Sequence, residues 1–139
     1  MARYCLDASF VLGWLIPGQR TASIEARWLS FSLRDELLAP PFILAECTSA
    51  LLTEEYDQRL APDRVRNLVR LLLRLPIRLV DRRDSYERAF DMARALNWRK
   101  IYDAVYIAVA EFEGAELLTL DIGMHRGALR LSVPSTLAR

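Results

Sequence analysis

The chain has 139 residues, of which 53% are hydrophobic and 27% are charged, and 19 basic against 18 acidic residues leave a formal net charge of +1. This composition excludes an intrinsically disordered chain, and the balanced charge excludes a net field strong enough to bind nucleic acid nonspecifically. The length predicts one domain over residues 1–139.

Residue types that often mark a metal or redox site are scarce. Cys5 and Cys47 lie in apolar runs without a neighbouring histidine, which is typical of buried cysteines rather than of zinc sites or disulfide frameworks. His125 is the only histidine, and no apolar run reaches the roughly 20 residues of a membrane span. Asp7 interrupts the apolar stretch near the N-terminus, which argues against a signal peptide. We therefore expect a soluble, cytoplasmic protein that does not associate with membranes.

Short apolar runs alternate with helical patterns along the chain. Strands are predicted at Tyr4–Leu6, Leu37–Ala39, Ile77–Val80 and Leu117–Leu120, and Leu129–Val133 suggests a fifth. Helices are predicted over Ser9–Ile16, Thr21–Leu33 and Pro41–Tyr56, between Pro62 and Pro76, after Asp84 as a capping residue, and over Ile101–Phe112. Strands separated by helices predict an α/β fold, a central parallel sheet of four to five strands covered on both faces.

Four carboxylates stand in apolar surroundings. Asp7 and Asp121 each follow a predicted strand, whereas Glu46 and Asp103 interrupt apolar helices near their starts. Burial of four unpartnered charges is prohibitively costly, and ligands of parallel sheets bind beyond the carboxyl ends of the strands. We therefore expect the four to be buried and to converge on a hard divalent cation, Mg²⁺ or Mn²⁺, which prefers oxygen ligands.

Simpler roles are open for each carboxylate. Asp7 and Asp121 each stand where an N-cap or turn residue would stand. Glu46 and Asp103 are not explained by capping, and their alternative is an ion pair with a buried arginine. The shared placement of all four is the feature that favours a common site.

The motifs around these residues resemble a known family. They are Asp7-Ala8-Ser9, Ala45-Glu46, the run YDAVYIAVA that begins at Tyr102-Asp103, and Thr119-Leu120-Asp121. In this order and spacing they resemble PIN-domain ribonucleases, most closely the VapC toxins of VapBC toxin–antitoxin pairs, over essentially the whole chain.

The resemblance implies a three-layer α/β/α sandwich and an endoribonuclease dependent on Mg²⁺ or Mn²⁺ that leaves a 5′-phosphate and a 3′-hydroxyl. It implies that Asp7, Glu46, Asp103 and Asp121 are the catalytic and metal-binding quartet. In the mechanism that we infer, Asp7 and Asp103 bind the metal, Asp121 binds it directly or through water, and Glu46 holds a water or acts as general base.

The resemblance also implies supporting residues and partners. Ser9 and Thr119 match the hydroxyl residues beside the first and last aspartates. Arg99, Lys100 and Arg126 lie close enough in sequence to the carboxylates to be candidate RNA-binding residues. The expected partners are an RNA substrate, a VapB-like antitoxin and a second copy of the chain in a homodimer. The antitoxin would cover a groove lined by Phe10, Val11, Trp14, Leu15 and Trp28, although a core position is the ordinary role of the tryptophans.

One departure from the family pattern and four rival classes bear on this prediction. Gly123 and Met124 stand where many family members have a polar or acidic residue, which leaves open whether one or two metals bind. A PIN-like protein that binds RNA or a partner with little or no nuclease activity is the main alternative. A receiver-type signalling domain would need adjacent acids after the first strand, where Asp7 stands alone. PIN nucleases of RNA processing or DNA flaps usually carry extra domains, and a Rossmann dehydrogenase lacks support because no G-x-G-x-x-G is present.

Overall fold

A five-stranded parallel sheet forms the middle layer of the structure, which is a computed structural model that describes residues 1–139. The strands are Arg3–Leu6 (β1), Glu36–Ala39 (β2), Ile77–Leu79 (β3), Glu116–Thr119 (β4) and Ser135–Leu137 (β5). The helices are Ala8–Leu15 (α1), Ala22–Leu29 (α2), Ile43–Tyr56 (α3), Pro62–Leu72 (α4), Asp84–Ala95 (α5), Tyr102–Glu113 (α6) and Ile122–Arg130 (α7). This arrangement confirms the predicted three-layer α/β/α sandwich.

The strand order is β3-β2-β1-β4-β5, and every neighbouring pair is parallel. β1 lies at the centre, and the chain builds outward from it through β2 and β3 before it crosses to β4 on the other side. The junction of β1 and β4 is therefore the topological switch point, where parallel α/β sheets bind their ligands. Leu6 pairs with Leu118 in the register, so Asp7 and Thr119 continue side by side beyond it.

The core explains why the central elements read as nearly continuous apolar runs. Cys5, Leu6, Leu117 and Leu118 are completely buried, as expected for central strands covered on both faces. α6 packs against β1, β4 and α5, and its residues from Ala104 to Ala110 are all buried. No helix is sufficiently long and apolar to cross a lipid bilayer.

Gly114 ends α6. Its φ of 61° lies in the left-handed region, which glycine adopts without the steric cost that a Cβ would add. The chain can therefore leave the helix and enter β4 two residues later.

Three predicted elements differ from the structure. The suggested strand at Leu129–Val133 is wrong, because α7 continues to Arg130 and β5 begins only at Ser135. The second helix ends at Leu29 instead of Leu33. Asp84 does not cap α5 but lies in its first turn, where its carboxylate accepts hydrogen bonds from the guanidinium of Arg82 at 3.0 and 2.8 Å.

The predicted groove on α1 and α2 is mostly interior. Phe10, Val11 and Leu15 are buried, so they cannot line an exposed surface. Trp14 and Trp28 stack on each other with ring centroids 4.5 Å apart and are only partly buried. The ordinary core role therefore explains most of these residues.

Candidate active site

Each of the four carboxylates lies at the start of a helix on the carboxyl side of the sheet. Asp7 follows β1 and caps α1, where one carboxylate oxygen accepts the Phe10 N–H at 3.0 Å. Asp121 follows β4 and caps α7 through the Met124 N–H at 3.0 Å. Glu46 and Asp103 lie in the first turns of α3 and α6. The positive ends of four helix dipoles thus face the same region as the four acids.

Asp7 is buried within a network of hydroxyl groups. The Thr119 hydroxyl donates to its Oδ2 at 2.6 Å, and the Ser9 hydroxyl lies 2.8 Å from both carboxylate oxygens. Ser9 and Thr119 in turn accept the backbone N–H groups of Leu120 and Asp121, each at 2.9 Å. The structure therefore brings both predicted supporting residues against Asp7 and ties the end of β1 to the end of β4.

Burial raises the pKa of Asp7 to about 6, although the hydrogen bonds from Thr119, Phe10 and Ser9 act in the opposite direction. The nearby charge of Asp103 raises the pKa further. A group in this range changes its charge close to neutral pH, and perturbed carboxyl groups of this kind are concentrated at functional sites.

Asp103 shares one cavity with Asp121 and another with Glu46. It is partly buried, and burial, the charge of Asp121 and the charge of Glu46 all raise its pKa, in that order. The charge of Asp103 also raises the pKa of Asp7. Such crowding of like charges is relieved by a bound cation or by protonation.

Glu46 is exposed and is held by a residue that the sequence did not single out. The hydroxyl of Tyr106 donates a hydrogen bond of 2.7 Å to Glu46 Oε1. Tyr106 is itself buried, and both its burial and this carboxylate raise the pKa of the phenol, so that it stays protonated and donates. The only sequence signal for this contact is the placement of Tyr102 and Tyr106 four residues apart, on either side of Asp103.

Two open cavities meet at Tyr102 and Asp103. The first has a volume of about 730 Å³, and Asp121, Arg99 and Lys100 also line it. The second has a volume of about 510 Å³ and lies on the other side of Asp103; its remaining lining residues are Phe42, Ala45 and Glu46. Arg126 lines neither cavity, so only two of the three candidate RNA-binding residues face the acids.

The expected burial of all four carboxylates is wrong for two of them. Asp7 is buried, but Glu46 and Asp121 are exposed and Asp103 is intermediate. Asp7 and Asp121 each cap a helix, as the simpler alternative expects. The buried-arginine alternative does not hold, because neither Glu46 nor Asp103 takes part in an ion pair.

The donor set is suited to a hard divalent cation, since it consists only of carboxylate and hydroxyl oxygens. No three Asp, Glu, His or Cys side chains, however, are grouped closely enough to hold an ion by themselves. The expected convergence of all four on one ion is therefore not seen. Mg²⁺ is commonly held by one or two carboxylates together with water and a substrate phosphate, and that arrangement needs no such group. On this basis the residues present fit such an ion.

Comparisons with known proteins agree with this architecture. The structure is similar to VapBC2 from Rickettsia felis, bound to a promoter DNA fragment, with a TM-score of 0.73 and 12% identity over 96% of this chain and 97% of that one. It is similar to FitAcB from Neisseria gonorrhoeae, with a TM-score of 0.70 and 18% identity over 95% of each chain. It is also similar to VapC20 from Mycobacterium tuberculosis, a Sarcin-Ricin loop cleaving toxin, with a TM-score of 0.66 and 17% identity over 87% and 92%.

No curated protein sequence matches the chain. The family model that matches is the PIN domain, over residues 4–128. Since this match covers most of the 139 residues, the chain belongs to the PIN domain family.

Proposed function

We propose that this protein is a metal-dependent endoribonuclease and the toxin component of a VapBC-type toxin–antitoxin pair. The observation that carries the proposal is the position of Asp103, which lines one cavity together with Asp121, Arg99 and Lys100 and a second cavity together with Glu46. Carboxylates that can hold a cation thus lie beside cations that can hold phosphate. Membership of the PIN domain family supports the same reaction class.

Each acid has a separate role in this proposal. Asp7 and Asp103 would hold a Mg²⁺ or Mn²⁺ ion, with Asp121 as a further ligand, directly or through water. When bound, the ion would neutralise phosphoryl oxygens and acidify a water molecule. Ser9 and Thr119 fix the orientation of the Asp7 carboxylate. Glu46, oriented by the Tyr106 hydroxyl, would accept the proton of the attacking water.

Arg99 and Lys100 would bind the RNA backbone. Both are exposed and line the same cavity as Asp103 and Asp121. Their charges offset the repulsion between the carboxylates and an approaching phosphate. Arg126 is exposed on α7 and would contact only RNA that extends beyond the cleft.

The proposed partners follow from the similar structures. One is a toxin–antitoxin complex from Klebsiella pneumoniae, and others are VapBC assemblies from Rickettsia felis and Haemophilus influenzae. We expect a VapB-like antitoxin that binds this chain and blocks the cleft, a homodimer as the toxin unit, and action in the cytoplasm.

The test is RNA cleavage by the purified protein with and without Mn²⁺. Asp103→Asn should abolish cleavage, whereas Asp91→Asn, a matched change of an exposed aspartate on α5, should retain it. Cleavage that survives in Asp103→Asn, or that does not need a divalent metal, would contradict the proposal.

A binding role without nuclease activity is the second candidate. The absence of any group of three metal-binding side chains favours it, as do Gly123 and Met124, which supply no carboxylate after Asp121. In that case the wild-type protein would bind RNA or its partner, and no metal would elicit cleavage.

A further inference from the structure

The segment between α5 and α6, residues 96–101, carries both cations that line the first cavity. The side chains of Arg99 and Lys100 take part in no ion pair and no hydrogen bond. Their backbone N–H groups have no backbone partner either. Where the two cations stand beside Asp103 and Asp121 therefore depends on how the neighbouring residues of the segment are held.

The end of α5 fixes the start of this segment. Asn97 has a φ of 57°, in the left-handed region, and its N–H donates to the Arg94 carbonyl at 3.1 Å. The N–H of Trp98 donates to the Ala93 carbonyl at 2.8 Å. These two bonds form a Schellman motif, which reverses the chain after a helix. The motif fixes the backbone of Trp98 directly before the two cations.

The indole of Trp98 lies against α7. A Cβ on Gly127 would lie 2.6 and 2.7 Å from the ring atoms Cζ2 and Cη2, and 3.2 Å from Cδ1 of Leu96. The helix and the ring approach this closely because glycine has no side chain. Leu96 is buried, so a side chain at position 127 would displace the indole. Because Trp98 also lines the first cavity, this one residue contacts α7 and borders the cleft.

We propose that the contact between Trp98 and Gly127 positions Arg99 and Lys100 for RNA phosphates, which makes Trp98 a positioning residue of the cleft. The inference rests on the proposed ribonuclease function. Asp121 is held separately, because its N–H donates to Thr119 and its carboxylate caps α7. Loss of the contact should therefore weaken RNA binding and leave metal binding unchanged.

The experiment measures binding of a short single-stranded RNA in Ca²⁺ at several salt concentrations. The slope of log affinity against log salt falls by about 0.7 for each phosphate contact that is lost. Trp98→Phe removes Cζ2 and Cη2 without adding bulk, and it should reduce the slope by about 0.7–1.4, which corresponds to one or two contacts. Gly127→Ala should have the same effect, because it displaces the ring. The affinity for Mn²⁺ should not change in either variant.

Two further measurements separate positioning from a general loss of structure. The double variant Trp98→Phe/Gly127→Ala should have the slope of Trp98→Phe alone, because the shorter ring no longer meets the added Cβ. In cleavage assays with Mn²⁺, both single variants should raise KM and leave kcat nearly unchanged. Additive effects in the double variant, or a fall in kcat at constant KM, would overturn the inference.

Val65→Ala is a control for lost stability. Val65 packs in a separate cluster with Ile16 and Leu51, so its truncation should lower the free energy of unfolding while RNA binding stays unchanged. An equal loss of RNA affinity in this control would also count against positioning by Trp98. If wild type cleaves RNA in Mn²⁺ but Trp98→Phe and Gly127→Ala keep its salt slope, the inference fails and the proposed function stands. If wild type neither binds nor cleaves RNA, both fail.

Discussion

Replacement of Asp7 by asparagine is expected to stabilise the metal-free protein at neutral pH. Asp7 is only 2% exposed, and its burial raises its pKa from an ordinary 3.8 to about 6. That difference corresponds to about 3 kcal/mol of destabilisation once the group is ionised. Asparagine has the same shape without the charge, but it accepts fewer hydrogen bonds, and the loss of one from Ser9 or Thr119 costs about 1 kcal/mol. The net gain should be about 1–2 kcal/mol, or about 3–6 °C in Tm.

The pH dependence tests the cause of this effect. A carboxyl group with a raised pKa binds its proton more tightly in the folded chain, so its contribution favours folding at low pH. In wild type this contribution is present below pH 3.8 and is lost as the pH rises through about 6. The Asp7→Asn variant cannot lose it, so the stability difference between the two proteins should grow with pH across this window.

Chemical denaturation in EDTA at several pH values measures this difference. The control is Asp121→Asn, because Asp121 caps α7 in an exposed position and asparagine caps helices about as well as aspartate does. That variant should change the free energy of unfolding by less than about 0.5 kcal/mol. If Asp7→Asn is less stable than wild type at pH 7, or if both proteins show the same pH dependence, burial of the Asp7 charge does not act as argued.

Three further predictions concern residues outside that network. Glu113→Gln removes the carboxylate that pairs with three arginines, so it should lower the free energy of unfolding by about 1 kcal/mol in low salt and by less in high salt. Glu111→Gln is the control, because it removes a single ion pair and should have a smaller effect. Equal effects of the two changes in thermal unfolding would contradict this prediction. Gly127→Ala places a Cβ 2.6 Å from an indole ring and should cost about 1–3 kcal/mol; unchanged Tm and tryptophan fluorescence would count against it. Tyr106→Phe frees the Glu46 carboxylate and should lower kcat for RNA cleavage by about 10-fold or more at nearly constant KM; an effect on KM alone would contradict a positioning role.

Local patterns were sufficient to predict most of the sheet and most of the helices. Buried parallel strands produce continuous apolar runs, and α6 produces an apolar run that is too long for a strand. The fifth strand was misplaced because α7 contains Gly123 and Gly127, which weaken a helical pattern. A tertiary contact explains the glycine at position 127, since the ring of Trp98 occupies the space where a side chain would lie. That contact joins residues far apart in the sequence and cannot be read from either one alone.

Burial of the acids was overestimated for a related reason. Glu46 is flanked by apolar residues in the sequence, yet it faces the cavity beside Phe42 and Tyr102. Apolar residues along a helix indicate that much of the helix surface is buried, but they do not show which side of the helix opens onto a cleft. Tyr106 and Glu46 lie 60 residues apart in the sequence, so the hydrogen bond between them depends on how α3 and α6 pack.

The energetics of the network around Asp7 bear on why a charged residue stands there. Ser9, Thr119 and the Phe10 N–H all donate hydrogen bonds to the Asp7 carboxylate, and a neutral asparagine could take part in most of the same contacts. The negative charge adds a cost through burial and through repulsion from Asp103. A residue that breaks a local rule of stability without a structural gain is expected where function requires it. The charge is useful to this protein only if something positive binds it, which is why the cost of Asp7 supports the proposed cation more strongly than its position at the switch point does.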